Sequence, residues 1–407
     1  MKLTKLYIHN YKSFYDTTIE FDKLNIIVGE NNSGKSNLID VLEFIDIAID
    51  KDIERAIDEK GGYDRIKNYS AVGEEKVIIR VTFSNVKGFI VFDEDINISC
   101  LNTITISFSF SKEYSILSFF VDTYIISNKD KKGTVTITFE KNGCLQGGYN
   151  FRYILSYKSY FGIERNKEKL IFCTKNKKVD KKILKDIISL YRANYIRKIS
   201  TYYFDTQKIK TLSNQDSKHI ELLKDGSNLG KVLYEIKEKD KNMFEAISNS
   251  LITTVNEING IEVYKVAGNY IIAFKERGKE PIPIHIVSDG TINFLATMTA
   301  LNKLYNDSIL AFEEPERHLH FKVVSYLLDS FRNGDKQIII TTHSIEMLKY
   351  ANLDEVIFIY RDRDGDTQTI RADKIPNLKE KMEYMKYERC MTLDEMLDED
   401  MVWDFEQ

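Results

Sequence analysis

The sequence predicts an α/β fold with a mixed sheet around a glycine-rich loop, an antiparallel β subdomain and a helical or irregular insertion. Three observations predict it. The apolar run 24–28 leads into the glycine-rich loop, and apolar residues at helical spacing follow from position 37 onward. Short alternating runs between 75 and 140 are typical of antiparallel strands. Segments 308–316 and 336–344 begin apolar and end charged or polar, as buried parallel strands do.

Length and composition are those of a soluble globular protein. The 407 residues suffice for two or three domains, or for one large domain with an insertion, because single cores rarely grow past about 250 to 300 residues. Hydrophobic residues at 43% and charged residues at 29% exclude wholesale disorder, and the net charge of -4 predicts no partner. The sequence has no run of about 18 apolar residues, so we expect a cytoplasmic protein with no membrane segment. Its cysteines are not clustered, so we expect no zinc knuckle.

The glycine-rich loop is "VGENNSGKSN", residues 28–37, which matches the pattern G-x-x-x-x-G-K-[ST] in the order strand, loop, helix. Backbone N–H groups of such a loop, with the N-terminus of the next helix, form a positively polarised cradle for phosphate oxygens. Lys35 would neutralise the β- and γ-phosphates of a nucleotide, and the Ser36 hydroxyl would ligate Mg²⁺. The alternative is an Asn-Ser-Gly turn at a helix start.

The middle of the chain carries weaker signals. The runs "VIIRVTFS", "TITISFSF" and "TVTITFE" alternate in polarity and predict antiparallel strands. Residues 141–200 mix Gly- and Lys-rich turns with one predicted helix at 180–196. The segment from Arg165 to Lys198 is rich in Lys and Arg, which indicates a solvated helical surface or, alternatively, a contact with nucleic acid.

Paired carboxylates follow the apolar residues 309–312. Glu313 would face the Mg²⁺ and Glu314 an attacking water, unless the stretch is a solvated acidic turn before Pro315. His343 ends the next apolar strand, where its imidazole would reach a γ-phosphate or the attacking water; the alternative is an ordinary polar residue at a strand end. Together with the glycine-rich loop, these residues indicate a site that hydrolyses a nucleotide.

A second helix N-terminus occurs in "IVSDGTINFLATMTAL". Ser288, Asp289 and Gly290 stand directly before an apolar helical run, where backbone N–H groups are able to bind an anion. Taken alone, this is an ordinary N-cap. In combination with the other motifs, it is the piece that would complete the nucleotide site of another subunit.

These four elements, in this order, resemble the ABC-type ATPase heads of the SMC, RecF and OLD families. "IHNYKSFYDTTIEFDKLNIIVGENNSGKSNLIDVLEFI" is similar to their N-terminal strand pair and Walker A, "VSDGT" to the signature motif, "AFEEPERHLH" to Walker B with its D-loop, and "TTHS" to the switch-histidine loop. "LLKDGSNLGKVL" also resembles a linker motif of the compact OLD-like ATPases of bacterial phage-defence systems. The resemblance covers residues 1–85 and 200–360.

The resemblance implies an ATPase with an ABC-ATPase head fold that uses ATP and Mg²⁺. It assigns Glu313, with Ser36, to the Mg²⁺ position, where relatives usually have Asp; Glu314 to the general base; and His343 to the γ-phosphate sensor. Two ATP molecules would be sandwiched in a homodimer, or in a higher oligomer, which binding closes and hydrolysis opens. The residues implied to bind nucleotide are Gly29, Asn32, Gly34, Lys35, Ser36 and Asn37 of the phosphate loop, with Ser288 and Gly290 reaching the facing protomer.

The resemblance also implies a division into domains. Residues 1–85 would form the first part of the ATPase core with Walker A, and 86–200 a β-rich and helical insertion. Residues 201–370 would form the second part of the core, with the signature, Walker B and the switch histidine, and 371–407 a tail. The insertion would therefore interrupt the core.

The chain departs from these families at several points. No glutamine stands where the Q-loop is expected, and Gln207 in "FDTQKIK" is a weak substitute. The coiled-coil arm of SMC proteins is absent, and about sixty residues follow His343 where many relatives continue into a Toprim nuclease domain. Among those residues Asp362, Asp364 and Asp366 alternate, which predicts a hairpin turn built on Asp-Gly, with a metal site as the alternative.

Three functions are compatible with these motifs. The first is the switch or scaffold subunit of an antiphage defence system, which controls a separate effector such as a nuclease or toxin. The second is a RecF/SMC-like ATPase that binds DNA directly in repair or maintenance. The third is a scaffold that binds ATP and scarcely hydrolyses it; Glu314 argues against it, because such a scaffold needs no general base.

Overall fold

The computed structural model consists of two compact units. One unit comprises Met1–Asp22, Asp40–Ile199 and Ile359–Thr369, and the other comprises Lys23–Ile39, Ser200–Phe358 and Ile370–Gln407. The first of these is called unit 1 and the second unit 2. The predicted helix at 180–196 and most of the basic segment lie outside the described residues. The structure describes residues 2–70, 76–84, 90–93, 96–112, 115–127, 129–141, 153–156, 169–172, 199–211, 221–276, 278, 280–302 and 309–382.

Strands and helices are numbered along the chain. The strands are β1 (Lys2–Tyr11), β2 (Phe14–Glu20), β3 (Leu24–Val28), β4 (Val77–Ser84), β5 (Ile90–Asp93), β6 (Ile96–Phe110), β7 (Ser115–Ser127), β8 (Lys129–Lys141), β9 (Tyr153–Ser156), β10 (Lys169–Phe172), β11 (Ile199–Tyr202), β12 (Ile258–Val266), β13 (Asn269–Glu276), β14 (Ile282–Pro283), β15 (Ile309–Glu313), β16 (Gln337–Thr342), β17 (Val356–Arg361) and β18 (Thr367–Arg371). The α-helices are α1 (Lys35–Asp50), α2 (Ile53–Glu59), α3 (Tyr63–Ile66), α4 (Thr206–Lys210), α5 (Leu229–Lys239), α6 (Lys241–Thr254), α7 (Asp289–Leu301) and α8 (Phe321–Asn333). Short 3₁₀ helices span Ile284–Ile286, Ile345–Tyr350, Leu353–Glu355 and Ala372–Lys374. Among the described helices, none is long and apolar enough to cross a membrane.

Unit 1 contains a seven-stranded sheet in the order β2-β1-β4-β6-β7-β8, with β5 paired to β6. Each of these neighbours runs antiparallel to the next. In β4 every second residue is buried, because side chains alternate between the two faces of a strand: Val77, Ile79, Val81 and Phe83. The antiparallel strands predicted between 75 and 140 are therefore confirmed. A separate antiparallel pair joins β9 and β10.

In unit 1 aromatic side chains of α1 and of the sheet form part of the core. The Phe44 ring stacks on Phe110 with centroids 5.2 Å apart and meets the edge of Tyr11 at 5.9 Å. The Tyr11 hydroxyl donates a hydrogen bond to Asp40 at 2.8 Å, and Lys12 forms an ion pair with the same carboxylate at 2.6 Å. The hydroxyl group of the buried Tyr11 therefore has a hydrogen-bond partner. This matters because an unpaired polar group in the low dielectric of a core is unfavourable.

The predicted mixed sheet has the order β11-β15-β16-β3-β17-β18, and its strands β15, β16 and β3 lie wholly in unit 2. The neighbours β15, β16, β3 and β17 are parallel. All residues of β3 and β16 are buried, as expected for strands covered on both faces. Because parallel strands end at the same edge of a sheet, the glycine-rich loop, Glu313 and Thr342 all lie at one edge.

Helices cover this sheet within unit 2. Phe312 of β15 stacks on Phe331 of α8 and on Tyr202 of β11, with ring centroids 5.5 and 5.4 Å apart. Helix α7 is buried along its length from Gly290 to Ala300, which explains why no charged residue follows Asp289 in this helix. The strands β12, β13 and β14 form a small antiparallel sheet, whose Phe274 belongs to the same buried cluster as Phe312.

The alternating aspartates lie in the turn between β17 and β18. The Asp362 carboxylate accepts the backbone N–H groups of Asp364 and Asp366 at 3.1 and 2.9 Å, and Gly365 has a φ of 83°. Asp366 is buried and accepts a hydrogen bond from Asn68 Nδ2 at 3.2 Å. The predicted hairpin is confirmed. Within the described ranges, no group of three or more His, Cys, Asp or Glu side chains could hold a metal ion.

Candidate active site

The glycine-rich loop joins β3 to α1, which begins at Lys35. Asn32 and Gly34 have φ values of 67° and 115°, the left-handed conformation that the tight turn requires. The buried Lys35 Nζ donates hydrogen bonds to the carbonyl oxygens of Gly29 at 2.6 Å and Glu30 at 2.7 Å. Burial lowers the pKa of Lys35. The loop therefore has the strand, turn and helix start that the phosphate cradle needs.

The side chains of Ser36 and Glu313 bring two oxygen atoms together beside the phosphate loop. Ser36 Oγ donates a hydrogen bond to Glu313 Oε1 at 2.5 Å. Ser36 is exposed, and Glu313 and Asn37 are partly buried. A hydroxyl and a carboxylate suit Mg²⁺, which binds proteins through few oxygen ligands and fills its other positions with phosphate and water. The residues present fit the metal position predicted for them.

Glu314 contacts His343. Glu314 leaves β15 with a φ of 48°, which is strained for a residue with a side chain, and its N–H donates to the Thr341 carbonyl at 2.9 Å. His343 Nδ1 lies 2.7 Å from Glu314 Oε1. The adjacent carboxylates thus have different partners: Ser36 for Glu313, and His343 for Glu314. The sequence places both His343 and Glu314 at strand ends but does not predict their contact.

Glu316 was missed by the sequence reasoning. Only 7% of this residue is exposed, and its carboxyl group accepts a hydrogen bond from the Thr342 hydroxyl. The other carboxyl oxygen, Oε2, has no hydrogen-bond partner among the described residues. Burial raises the pKa of Glu316 to about 7. The sequence feature that could have pointed to Glu316 is the third carboxylate in "EEPE", but the sequence does not indicate which of the three carboxylates is buried.

The raised pKa of Glu316 predicts a pH-dependent stability. An unfolded Glu has a pKa of about 4.3, so below the folded pKa of about 7 the native chain keeps a proton that the unfolded chain releases. The free energy of unfolding should therefore fall by up to about 4 kcal/mol as the pH rises from the unfolded to the folded pKa of Glu316, and then level off. Glu316→Gln should lack this component, which urea unfolding at pH 5 and pH 8 measures. The same pH dependence in both chains would contradict the prediction.

Ser288 and Gly290 border a cavity of about 540 Å³ in unit 2. Ser288 caps α7: its Oγ accepts the Thr291 N–H at 3.3 Å. A Cβ at position 290 would lie 2.2 Å from the His318 carbonyl oxygen, so the close approach of the two chain segments requires glycine. The described lining residues come from the end of α6, from α7, from the turn at 318–320 and from α8, and none belongs to the phosphate loop. The structure thus shows the predicted N-cap, and no phosphate-loop residue is among those that line the cavity beside it.

An ion pair at the start of α7 was also not predicted. Lys210, the last residue of α4, donates from Nζ to Asp289 Oδ1 at 2.6 Å, and this hydrogen bond lowers the pKa of the carboxyl group. Gln207, the weak candidate for the Q-loop glutamine, is exposed on the same short helix. Its role stays a prediction.

A protein-family model described as an AAA ATPase domain matches residues 1–348 of the chain. The chain belongs to this AAA ATPase family. This AAA ATPase is thus an ATP-hydrolysing enzyme, as the motifs predicted.

Individual relatives agree with this assignment. A Helicobacter pylori protein named "ATP/GTP phosphatase" is 23% identical to the AAA ATPase over 383 residues, which cover 89% of each chain. A crystal structure of an SMC head bound to the C-winged helix domain of ScpA matches with a TM-score of 0.52 and 18% identity, over 91% of this chain and 98% of that one. This likeness to an SMC head confirms the ABC-type head fold that the sequence predicts. The OLD-like subtype stays a prediction.

Proposed function

We propose that this AAA ATPase hydrolyses ATP with Mg²⁺ at the edge of the mixed sheet in unit 2. The observation that carries the proposal is the meeting of three distant segments at the ends of parallel strands. They supply the buried Lys35, the hydroxyl–carboxylate pair of Ser36 and Glu313, and the carboxylate–imidazole pair of Glu314 and His343. This is the set of groups that phosphoryl transfer to water requires.

Each of these side chains has a distinct role in the proposal. Lys35 exchanges its carbonyl partners for the β- and γ-phosphates and neutralises their charge. Glu314 accepts a proton from the attacking water, and His343, oriented by Glu314, hydrogen-bonds the γ-phosphate. Mg²⁺, when bound at Ser36 and Glu313, supplies further charge neutralisation at the phosphate oxygens.

We infer a homodimer from the position of the signature residues. Ser288 and Gly290 border a cavity whose described lining holds no phosphate-loop residue, which supports a role for them at the nucleotide of another chain. The N-terminus of α7 is suited to anions, and about 540 Å³ is sufficient for part of a nucleotide. In the sandwich, each ATP would lie between the phosphate loop of one protomer and the α7 N-terminus of its partner.

We also propose that the dimer is the switch of an antiphage defence system and controls a separate effector, a nuclease or a toxin. The support is the resemblance of the four motifs, and of "LLKDGSNLGKVL", to compact OLD-like ATPases of such systems. This linker segment forms a turn and the first residues of α5; in the turn, Gly226 has a φ of 74° and Asp225 pairs with Lys208 at 3.1 Å. The alternative, a DNA-maintenance ATPase, predicts that nucleic acid binds the chain directly.

Affinity purification distinguishes the two functions. Tagged Glu314→Gln chain is isolated from its native host with ATP and Mg²⁺, and the co-purifying molecules are identified by mass analysis. Tagged Lys35→Ala chain is the control, because it should not close on ATP. A protein recovered in stoichiometric amount with Glu314→Gln alone would support the effector proposal. Nucleic acid that salt releases, without such a protein, would favour DNA maintenance, and recovery of neither would contradict both functions.

A further inference from the structure

One hydroxyl group joins the Walker B turn to the loop that carries His343. The Thr342 hydroxyl, at the end of β16, donates a hydrogen bond to the carboxyl group of Glu316. Its oxygen accepts the backbone N–H of Ser344 at 2.8 Å. His343 lies between Thr342 and Ser344, so a single side chain fixes the backbone on both sides of the imidazole.

Glu316 is itself held by α7. Asn293, a buried residue of that helix, donates from Nδ2 to the carbonyl oxygens of Pro315 and Arg317, both at 3.1 Å. These two carbonyl groups flank Glu316 in the chain. The turn that carries Glu316 is therefore anchored to a buried helix, and it offers Thr342 a rigid acceptor.

The imidazole of His343 benefits from such support. Its side chain is 55% exposed, and it contacts Glu314 at 2.7 Å. An exposed side chain keeps much of its rotamer freedom unless its backbone and neighbours restrict it. Because a misplacement of about 1 Å can lower a reaction rate about a hundredfold, a fixed backbone at this position matters for hydrolysis.

Packing alone does not explain why position 316 has a carboxylate. A buried carboxyl group whose Oε2 has no partner among the described residues is less favourable than an apolar side chain of similar size. We propose that Glu316, acting with Thr342, is a positioning residue for hydrolysis, which holds His343 against Glu314. The inference rests on the roles proposed above for Glu314 and His343.

The first test compares Thr342→Val with Thr342→Ser. Val has the shape of Thr without the hydroxyl, whereas Ser keeps the hydroxyl. We expect Thr342→Val to lower kcat for ATP hydrolysis at least about tenfold while KM changes less than about twofold, and Thr342→Ser to recover most of kcat. A wild-type kcat for Thr342→Val would overturn the proposal, and so would an equal loss in the Val and Ser chains.

A double-mutant cycle then shows through which residue Thr342 acts. In a His343→Ala background, Thr342→Val should lower kcat no further, because no imidazole is left to position. The same fold loss in both backgrounds would overturn the proposal. Glu316→Met, which removes the acceptor, should lower kcat as much as Thr342→Val does, and the double variant Glu316→Met/Thr342→Val should be no slower than either.

The cycle also separates this inference from the proposed function. If His343→Ala hydrolyses ATP like the wild type, the role proposed for His343 is wrong and the inference falls with it. If His343→Ala is impaired while Thr342→Val is not, the active-site assignment stands and the positioning role of Glu316 and Thr342 is wrong.

Discussion

Glu314→Gln should bind ATP about as tightly as the wild type and hydrolyse it at least about a hundredfold more slowly. Gln keeps the shape of Glu and an acceptor oxygen for His343, which lies 2.7 Å from the native carboxylate, but it cannot take a proton from water. In the sandwich proposed above, hydrolysis is the step that opens the dimer, so the ATP-bound dimer should accumulate. Steady-state hydrolysis measures the first effect, and sedimentation velocity with and without ATP measures the second.

The matched control for this experiment is Glu245→Gln. It makes the same substitution at an exposed position of α6, and it should leave hydrolysis and sedimentation unchanged. Hydrolysis at the wild-type rate by Glu314→Gln would remove the general-base role. A slow Glu314→Gln chain that stays monomeric with ATP would keep that role and refute the sandwich dimer.

Lys35→Ala should weaken ATP binding about a hundredfold or more. Lys35 is buried at the start of α1 and donates to the carbonyl groups of Gly29 and Glu30, so its ammonium group is already directed at the loop. Charge-assisted hydrogen bonds of this kind contribute about 1.5–3 kcal/mol each, and about 2.8 kcal/mol corresponds to a hundredfold in Kd. Titration with a fluorescent ATP analogue, or calorimetry, measures the loss.

An exposed lysine provides the control. Lys241→Ala removes the same charge at the first residue of α6, away from the phosphate loop in sequence, and should bind ATP like the wild type. Thermal unfolding without nucleotide should show that both variants are folded. An unchanged ATP affinity in a folded Lys35→Ala chain would overturn the phosphate-loop assignment.

Much of the site could be predicted because its signals are local. The spacing of Gly29, Gly34 and Lys35 specifies a loop at a helix start, and the structure shows that loop between β3 and α1. Apolar runs that end in polar residues specify buried strands whose ends carry chemistry, and both Glu313 and His343 stand at such ends. In each case the residues that create the pattern are neighbours in the chain.

The three carboxylates in "EEPE" have partners that could not be predicted from the sequence. In the sequence they are chemically alike, yet Glu313 pairs with Ser36, Glu314 contacts His343, and Glu316 is buried against Thr342. The partners come from α1 and from the end of β16, which are distant in sequence. The backbone turns at Glu314, which has a φ of 48°, and this turn separates the environments of the carboxylates. A glutamate in the sequence does not predict a positive φ.

By itself, the sequence determined the fold class and the ATPase chemistry, and it predicted the residues that would carry this chemistry, because glycine spacing, strand patterns and carboxylate pairs act over a few residues. The tertiary structure alone decided which carboxylate is buried, that His343 contacts Glu314, and that Ser288 borders a cavity apart from the phosphate loop. The surroundings of the carboxylates and of His343 depend on the strand order β15-β16-β3, which brings distant segments to one edge of the sheet. The burial and the hydrogen-bond partners of these side chains are properties of the folded packing, because they depend on residues that are distant in sequence.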